Sequence, residues 1–165
     1  MIGNARIVAM GVSGSGKSAI GAGVADALGL AFRDGDDLHP ASNIEKMEAG
    51  HPLTDGDRAP WLDAVAAALL PGMVIACSAL KRRYRDRLRA GAGGPVTFLY
   101  LAGTRAVIAP RMATREGHFM PGALLESQFA ALEPPEKDEH VVRVDIDAPM
   151  DVVIARAATA LRQIA

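Results

Sequence analysis

Arg6-Ile7-Val8-Ala9-Met10-Gly11-Val12-Ser13-Gly14-Ser15-Gly16-Lys17-Ser18 decides the fold of this chain. Residues 6–10 are short, apolar and end at glycine, so they read as a buried strand. Residues 18–28 carry apolar side chains at Ile20, Val24, Ala27 and Leu28, which is helical spacing. Between strand and helix, Gly11, Val12, Ser13, Gly14, Ser15, Gly16, Lys17 and Ser18 match G-x-x-x-x-G-K-[ST] in the setting that this motif requires. The glycines let backbone N–H groups converge on phosphate oxygens, and the helix aims its positive end at the same point. Lys17 is placed to bridge the β- and γ-phosphates of a nucleoside triphosphate, and Ser18 to ligate Mg2+. With 17 glycines in 165 residues, chance would produce this pattern roughly three times in a thousand such chains. The looser dinucleotide fingerprint, Gly14-x-Gly16-x-x-Ala19 with Asp34 downstream, is the rival. It leaves Lys17 without a use.

Working outward, short apolar runs alternate with amphipathic stretches. Strands are expected at 6–10, in a run ending at Asp34, and at 73–77, 96–101 and 141–146. Helices are expected at 18–28, 40–50, 57–70, 81–90, 104–115, 121–132 and 150–164. Five strands, each followed by helix, predict an α/β fold with a five-stranded parallel sheet and helices on both faces. Ligands of such sheets bind beyond the carboxyl ends of the strands, so the residues just after each strand are where chemistry is expected.

Composition narrows the function. Half of the residues are apolar and 22% are charged, as in a globular protein, and 165 residues make one domain, 1–165. The formal charge of −1 and an aromatic content of 4% leave no polyanion-attracting field and no stacking platform for nucleic acid. The single cysteine, Cys77, excludes an internal disulfide framework and a multi-cysteine zinc site. The run 65–77 is broken by Pro71-Gly72 and is too short to span a bilayer. With no basic start followed by a long apolar stretch, a cytoplasmic protein is expected, with neither membrane nor nucleic-acid partner.

The second strand ends in Asp34-Gly35-Asp36. Alternate residues of an extended segment point the same way, which turns both carboxylates towards one site. Asp34 can then serve the metal's hydration shell, and Asp36 can accept the proton of an attacking hydroxyl. The alternative is that Asp36 and Asp37 cap the following helix. The segment 37–70 is polar and poor in aromatics, which suits a hydroxylated anionic metabolite better than a flat base. Arg58 supplies a fork donor for a carboxylate, while His39 and Lys46 can bind hydroxyls or the carboxylate; the bland alternatives are a surface turn and a solvated helix face. Trp61 reads as core.

After the third strand, Lys81 and Arg85 are four apart on one helix face and are expected to bind anion; Arg82, Arg83, Arg87 and Arg89 read as a solvated basic helix. Arg111 and Arg115 are again four apart, before Glu116-Gly117-His118. That pattern predicts a lid over 111–121 whose arginines meet the transferring phosphate and exclude water. His118 either touches substrate or packs against the lid. The chain lacks the Asn-Lys-x-Asp of guanine-specific switches, so a small nucleotide-dependent kinase is the class indicated.

The chain resembles the gluconokinases of the short phosphate-loop type. The resemblance is carried by residues 10–18, Asp34-Gly35-Asp36-Asp37-Leu38-His39-Pro40, Asn43-Ile44-Glu45-Lys46-Met47, residues 50–53 and Asp57-Arg58 with Pro60-Trp61-Leu62. Cys77-Ser78-Ala79-Leu80-Lys81, Tyr84-Arg85-Asp86, Gly117-His118-Phe119, Ser127-Gln128-Phe129 and Leu132-Glu133 extend it over almost the whole chain. It implies a three-layer P-loop kinase fold with a mobile lid, akin to shikimate and nucleoside monophosphate kinases. It further implies transfer of the ATP γ-phosphoryl group to D-gluconate, and a homodimer. Two alternatives remain open at this point: a related kinase for another small hydroxylated acid such as shikimate, and an ATP-binding regulatory module without catalysis.

Overall fold

The five apolar runs form five strands in which every neighbouring pair is parallel. The computed structural model describes residues 2–113 and 122–164. Along the chain these are β1 (Arg6–Met10), α1 (Lys17–Leu28), β2 (Ala31–Asp34), α2 (Ala41–Glu48), α3 (Asp55–Ala68) and β3 (Met73–Ala76). They continue as α4 (Arg82–Gly91), β4 (Thr97–Ala102), α5 (Arg105–Ala113), α6 (Gly122–Ala131), β5 (Val141–Asp145) and α7 (Met150–Ile164). The strand order is β2-β3-β1-β4-β5, with β1 at the centre. The expected α/β architecture is present, and the element bounds agree to within a few residues.

Strand β1 shows why the core has two layers. Ile7, Val8, Ala9 and Met10 are all fully buried. The pleat sends Ile7 and Ala9 to one side and Val8 and Met10 to the other. On the first side they meet Ile20 and Val24 of α1 with Val153, Ala157 and Leu161 of α7. On the second they meet Trp61, Leu62 and Val65 of α3 with Tyr84 and Leu88 of α4. A strand covered on both faces needs the continuous apolar run that residues 7–10 provide.

Connectivity places the site. The chain leaves β1 through α1 and passes β3 to reach β2; it leaves β3 through α4 and passes β1 to reach β4. These crossovers run in opposite directions from adjacent strands and place their helices on opposite faces. The loops after β1 and β3 therefore diverge and open a crevice at the carboxyl edge.

Two local readings need correction. Strand β2 stops at Asp34, and Gly35–Leu38 is a 3-10 turn rather than extended chain. The Asp34 carboxylate causes this by accepting the Asp36 N–H at 2.9 Å, which folds the backbone over. Helix α3 starts at Asp55, earlier than expected, because Thr54 and Asp57 form a reciprocal capping box.

Candidate active site at the carboxyl edge of the sheet

The loop after β1 has the form that its composition predicts. Gly16 caps α1 at φ 85°, a left-handed conformation open to glycine, and no side chain caps the helix. An N-terminus without a side-chain cap suits an external acceptor. Ser15 is fully buried, and its Oγ has no hydrogen-bond partner among the described residues. A buried hydroxyl without a partner is costly, and a phosphate oxygen in the loop would satisfy it. The loop therefore fits a nucleotide phosphate by its geometry as well as by its motif.

Asp34 joins this loop to the next strand. Ser18 Oγ donates to Asp34 Oδ2 at 2.8 Å, and Asp34 Oδ1 takes the Asp36 N–H. A hydroxyl and a carboxylate already in contact at a helix N-terminus suit a hard cation such as Mg2+. Asp36 is exposed on the 3-10 turn, so its carboxylate faces solvent and not the core. The turn is fixed from behind. Trp61 Nε1–H donates to the Gly35 carbonyl at 2.7 Å, and a Cβ on Gly35 would stand 2.4 Å from the carbonyl oxygen of Ala76. Beneath lies Cys77, whose thiol is pushed up to about 12 by burial, against the pull of an Ala79 N–H bond and Lys17. Asp36 and Asp34 add to the upward push, so Lys17, Asp34 and Asp36 all act on one buried group.

Next to the turn, the His39 ring stacks on Trp61 with centroids 4.1 Å apart and planes 14° from parallel. Burial lowers the His39 pKa, Asp36 opposes that shift, and Arg58 reinforces it, which favours the neutral ring. Asn43 Nδ2 donates to the Asp57 carbonyl at 2.9 Å and lies 3.3 Å from His39 Nδ1. An amide nitrogen only donates, so Nδ1 accepts and the ring proton sits on Nε2. Beyond His39, the cationic groups of Arg58, Lys81 and Arg83 stand 5.5, 5.8 and 5.6 Å from the centre of the Tyr84 ring. Arg58 Nη1 donates to Tyr84 Oη at 3.2 Å, and Tyr84 in turn donates to Asp55 at 2.5 Å. The Tyr84 hydrogen bond is the main reason that Asp55 is held below the usual carboxylate range. Three cations against one carboxylate leave this corner positive, which suits an anionic acceptor.

Several expected ligands are used elsewhere. Arg85 is fully buried, and its guanidinium does not face the crevice. It donates to Glu139 at 2.8 Å, to the Ala79 carbonyl at 2.8 Å and to the Glu133 carbonyl at 2.9 Å. The expected Lys81–Arg85 pair fails because Lys81 is the extended N-cap of α4, outside the helical repeat. Arg85 instead holds the carbonyl of Ala79, a non-glycine residue at φ 45°. Burial pushes the Glu139 pKa up, but bonds from Arg85, the Glu136 N–H and Arg89 hold it at about 2. Lys46 is committed to Asp57 at 2.6 Å, tying α2 to α3. Arg111 Nη2 donates to the Ile146 carbonyl at 2.8 Å, just after β5. Arg115 and His118, with most of the expected lid, lie outside the described residues.

Three residues that carry the family resemblance have no site role in the sequence reading. A buried tryptophan needs a partner for its N–H, which is the one signal that could have singled out Trp61. Tyr84 carries no signal beyond its place in the basic run and in the resemblance. Gln128 of α6 bonds both ends of its carboxamide to Ser13 in the loop, across 115 residues of sequence, a pairing without local pattern.

Comparison with known proteins shows which family the chain resembles. Residues 13–131 match the family model described as shikimate kinase. The chain is 48% identical over 156 residues to the gluconokinase of Gluconobacter oxydans (strain 621H), covering 90% of this chain and 86% of that protein. It is 47% identical over 163 residues to the thermoresistant gluconokinase of Escherichia coli (strain K12), covering 94% and 93%. A gluconokinase crystal structure from Sinorhizobium meliloti 1021 superposes with a TM-score of 0.92 at 46% identity, covering 100% of this chain and 95% of that one.

Proposed function

We propose, from the premise that this chain belongs to the gluconokinase family, that it transfers the γ-phosphoryl group of ATP to a terminal hydroxyl of D-gluconate, giving 6-phospho-D-gluconate and ADP. One observation carries the residue assignment: a single carboxylate, Asp34, bonds both the phosphate-loop hydroxyl of Ser18 and the peptide that presents Asp36. That shared carboxylate supports reading Asp34 as the metal's ligand and Asp36 as the base beside the nucleotide loop.

Gly11 to Ser18 hold the phosphates, with backbone N–H groups and Lys17 facing their charge. Ser18 and Asp34 would hold Mg2+, which would supply positive charge against the triphosphate. Asp36 accepts the proton of the attacking hydroxyl. Neutral His39 donates from Nε2 to an acceptor hydroxyl. The carboxylate of gluconate meets the positive corner at Arg58 and Lys81, and Arg111 adds positive charge at the same edge. Lys46 and Arg85 are not part of this assignment, because both are bound to acidic side chains. Catalysis is then mostly positioning and electrostatics. Among the described residues no helix is long and apolar enough to cross a membrane. A cytoplasmic location and a homodimer belong to the same proposal, the latter checked by light scattering on the eluted peak.

The decisive experiment compares wild type with Asp36→Asn in an ADP-release assay using gluconate, shikimate and nucleoside monophosphates as acceptors. Gluconate alone should support turnover. The variant should lose about 10²–10⁴-fold in kcat, the range for a general base, with nucleotide affinity retained. Wild-type turnover by Asp36→Asn would sink the base assignment, and nucleotide binding with no acceptor-dependent release would sink the kinase.

A further inference from the structure

Gln128 gives both ends of its carboxamide to one residue. Its Oε1 accepts the Ser13 backbone N–H at 2.5 Å, and its Nε2 donates to Ser13 Oγ at 2.8 Å. The carboxamide is rigid and planar, with an acceptor at one end and donors at the other. Engaging the peptide and the hydroxyl of a single residue fixes the position of that peptide and the rotamer of that side chain together.

The same helix end also grips the loop on the acceptor side. Leu132 N–H returns to the Gln128 carbonyl at 2.9 Å. The next residue, Glu133, donates its N–H to the Leu80 carbonyl at 2.7 Å, and its carboxylate accepts the Arg82 N–H at 2.9 Å. The circuit closes where the Ser78 carbonyl takes the Gly11 N–H at 3.3 Å. A ring of hydrogen bonds thus runs from the phosphate loop through the end of α6 to the loop after β3 and back. The phosphate loop is built of glycine and serine around Val12, so its open shape costs more backbone entropy than most segments. A brace that holds this shape before ligand arrives removes part of the ordering cost from the binding step.

We propose that Gln128 is a positioning residue for the nucleotide: it holds the Ser13 peptide so that the phosphate loop stands ready for a triphosphate. The proposal rests on the reading of residues 11–18 as the nucleotide site, and not on the identity of the acceptor.

The test is a titration of the full chain with a non-hydrolysable ATP analogue and Mg2+, in the absence of acceptor. Gln128→Ala should weaken binding about five- to tenfold, the worth of one or two hydrogen bonds, with kcat at saturating ATP within about twofold. A merely structural role would lower Tm and leave the affinity of the folded fraction unchanged. Gln128→Glu can keep both contacts, because the Ser13 hydroxyl is free to turn and donate, but it sets a negative charge beside the phosphates. Its affinity should fall further than that of Gln128→Ala, and the difference should shrink as salt rises. Ser13→Ala combined with Gln128→Ala should lose less than the sum of the single changes. Wild-type affinity in Gln128→Ala, or strict additivity in that cycle, overturns the proposal. A chain that binds the analogue, loses affinity in Gln128→Ala and yet leaves gluconate unphosphorylated would refute the acceptor assignment and leave the role of Gln128 standing.

Discussion

Gly35→Ala tests the whole placement of Asp36 with one methyl group. A Cβ at position 35 would lie 2.4 Å from the Ala76 carbonyl oxygen, where real Cβ contacts essentially never fall below 3.0 Å, so at least 0.6 Å must be found. The oxygen cannot yield easily. Ala76 is the last residue of β3, paired with Asp34 on one side and Ala9 on the other. Displacement therefore falls on the turn, which also breaks the 2.7 Å bond from Trp61 to the Gly35 carbonyl. Overpacking of this kind costs about 1–3 kcal/mol, and for a chain of this length each kcal/mol lowers Tm by about 2–4 °C. The effect on turnover is larger, because a misplacement of about 1 Å at a reacting group can cost about 10²-fold. The expected result is a folded protein with kcat for gluconate down about 10–10²-fold and near-normal affinity for a non-hydrolysable ATP analogue. Calorimetry, analogue titration and coupled ADP release give the three readings. Wild-type kcat in Gly35→Ala would refute the claim that the close approach to β3 sets the position of Asp36.

Glu139→Gln should destabilise the fold by about 3–5 kcal/mol, because it leaves the buried Arg85 guanidinium without its counter-charge; a denaturant midpoint close to wild type would refute this. The Glu139 pKa is held at about 2 against an ordinary 4.5, so its contribution is intact above about pH 4.5 and is lost as pH falls towards 2. The stability gap between the variant and wild type should narrow over that window. His39 is shifted the other way in charge logic: its pKa is lowered from 6.5 and the folded ring resists protonation. Below that pH the unfolded chain binds a proton that the folded chain does not, so stability falls as pH drops through 6.5. His39→Gln should flatten this part of the profile, and an NMR titration of the His39 ring that gives a midpoint at or above 6.5 would contradict the structure.

Much of the site was legible because its signals are local. The phosphate loop joins a strand and a helix within thirteen residues, and each of its parts is dictated by the backbone geometry that a phosphate demands. The sequence argument for Asp34 and Asp36 is incomplete. Extended alternation predicts that both carboxylates point the same way, whereas the Asp34 side chain folds the next peptide into a turn that carries Asp36. Competition between a side-chain acceptor and the strand ladder leaves no trace in hydrophobic periodicity. The cations were the least legible. Arg58, Lys81, Arg83 and Arg85 look alike in sequence, yet three gather at Tyr84 and one is sealed inside against Glu139.

Local pattern alone determined the parallel α/β sheet, the nucleotide loop and the edge at which chemistry takes place, because strand burial, helix phase and phosphate geometry are properties of short stretches. Tertiary structure alone decided which charges face the crevice and what holds them there. Glu139 claims Arg85 across 54 residues, Trp61 reaches Gly35 across 26, and Gln128 reaches Ser13 across 115. A charge buried away from water must find its partner wherever the fold brings one, and that meeting depends on chain crossings that no stretch of sequence contains.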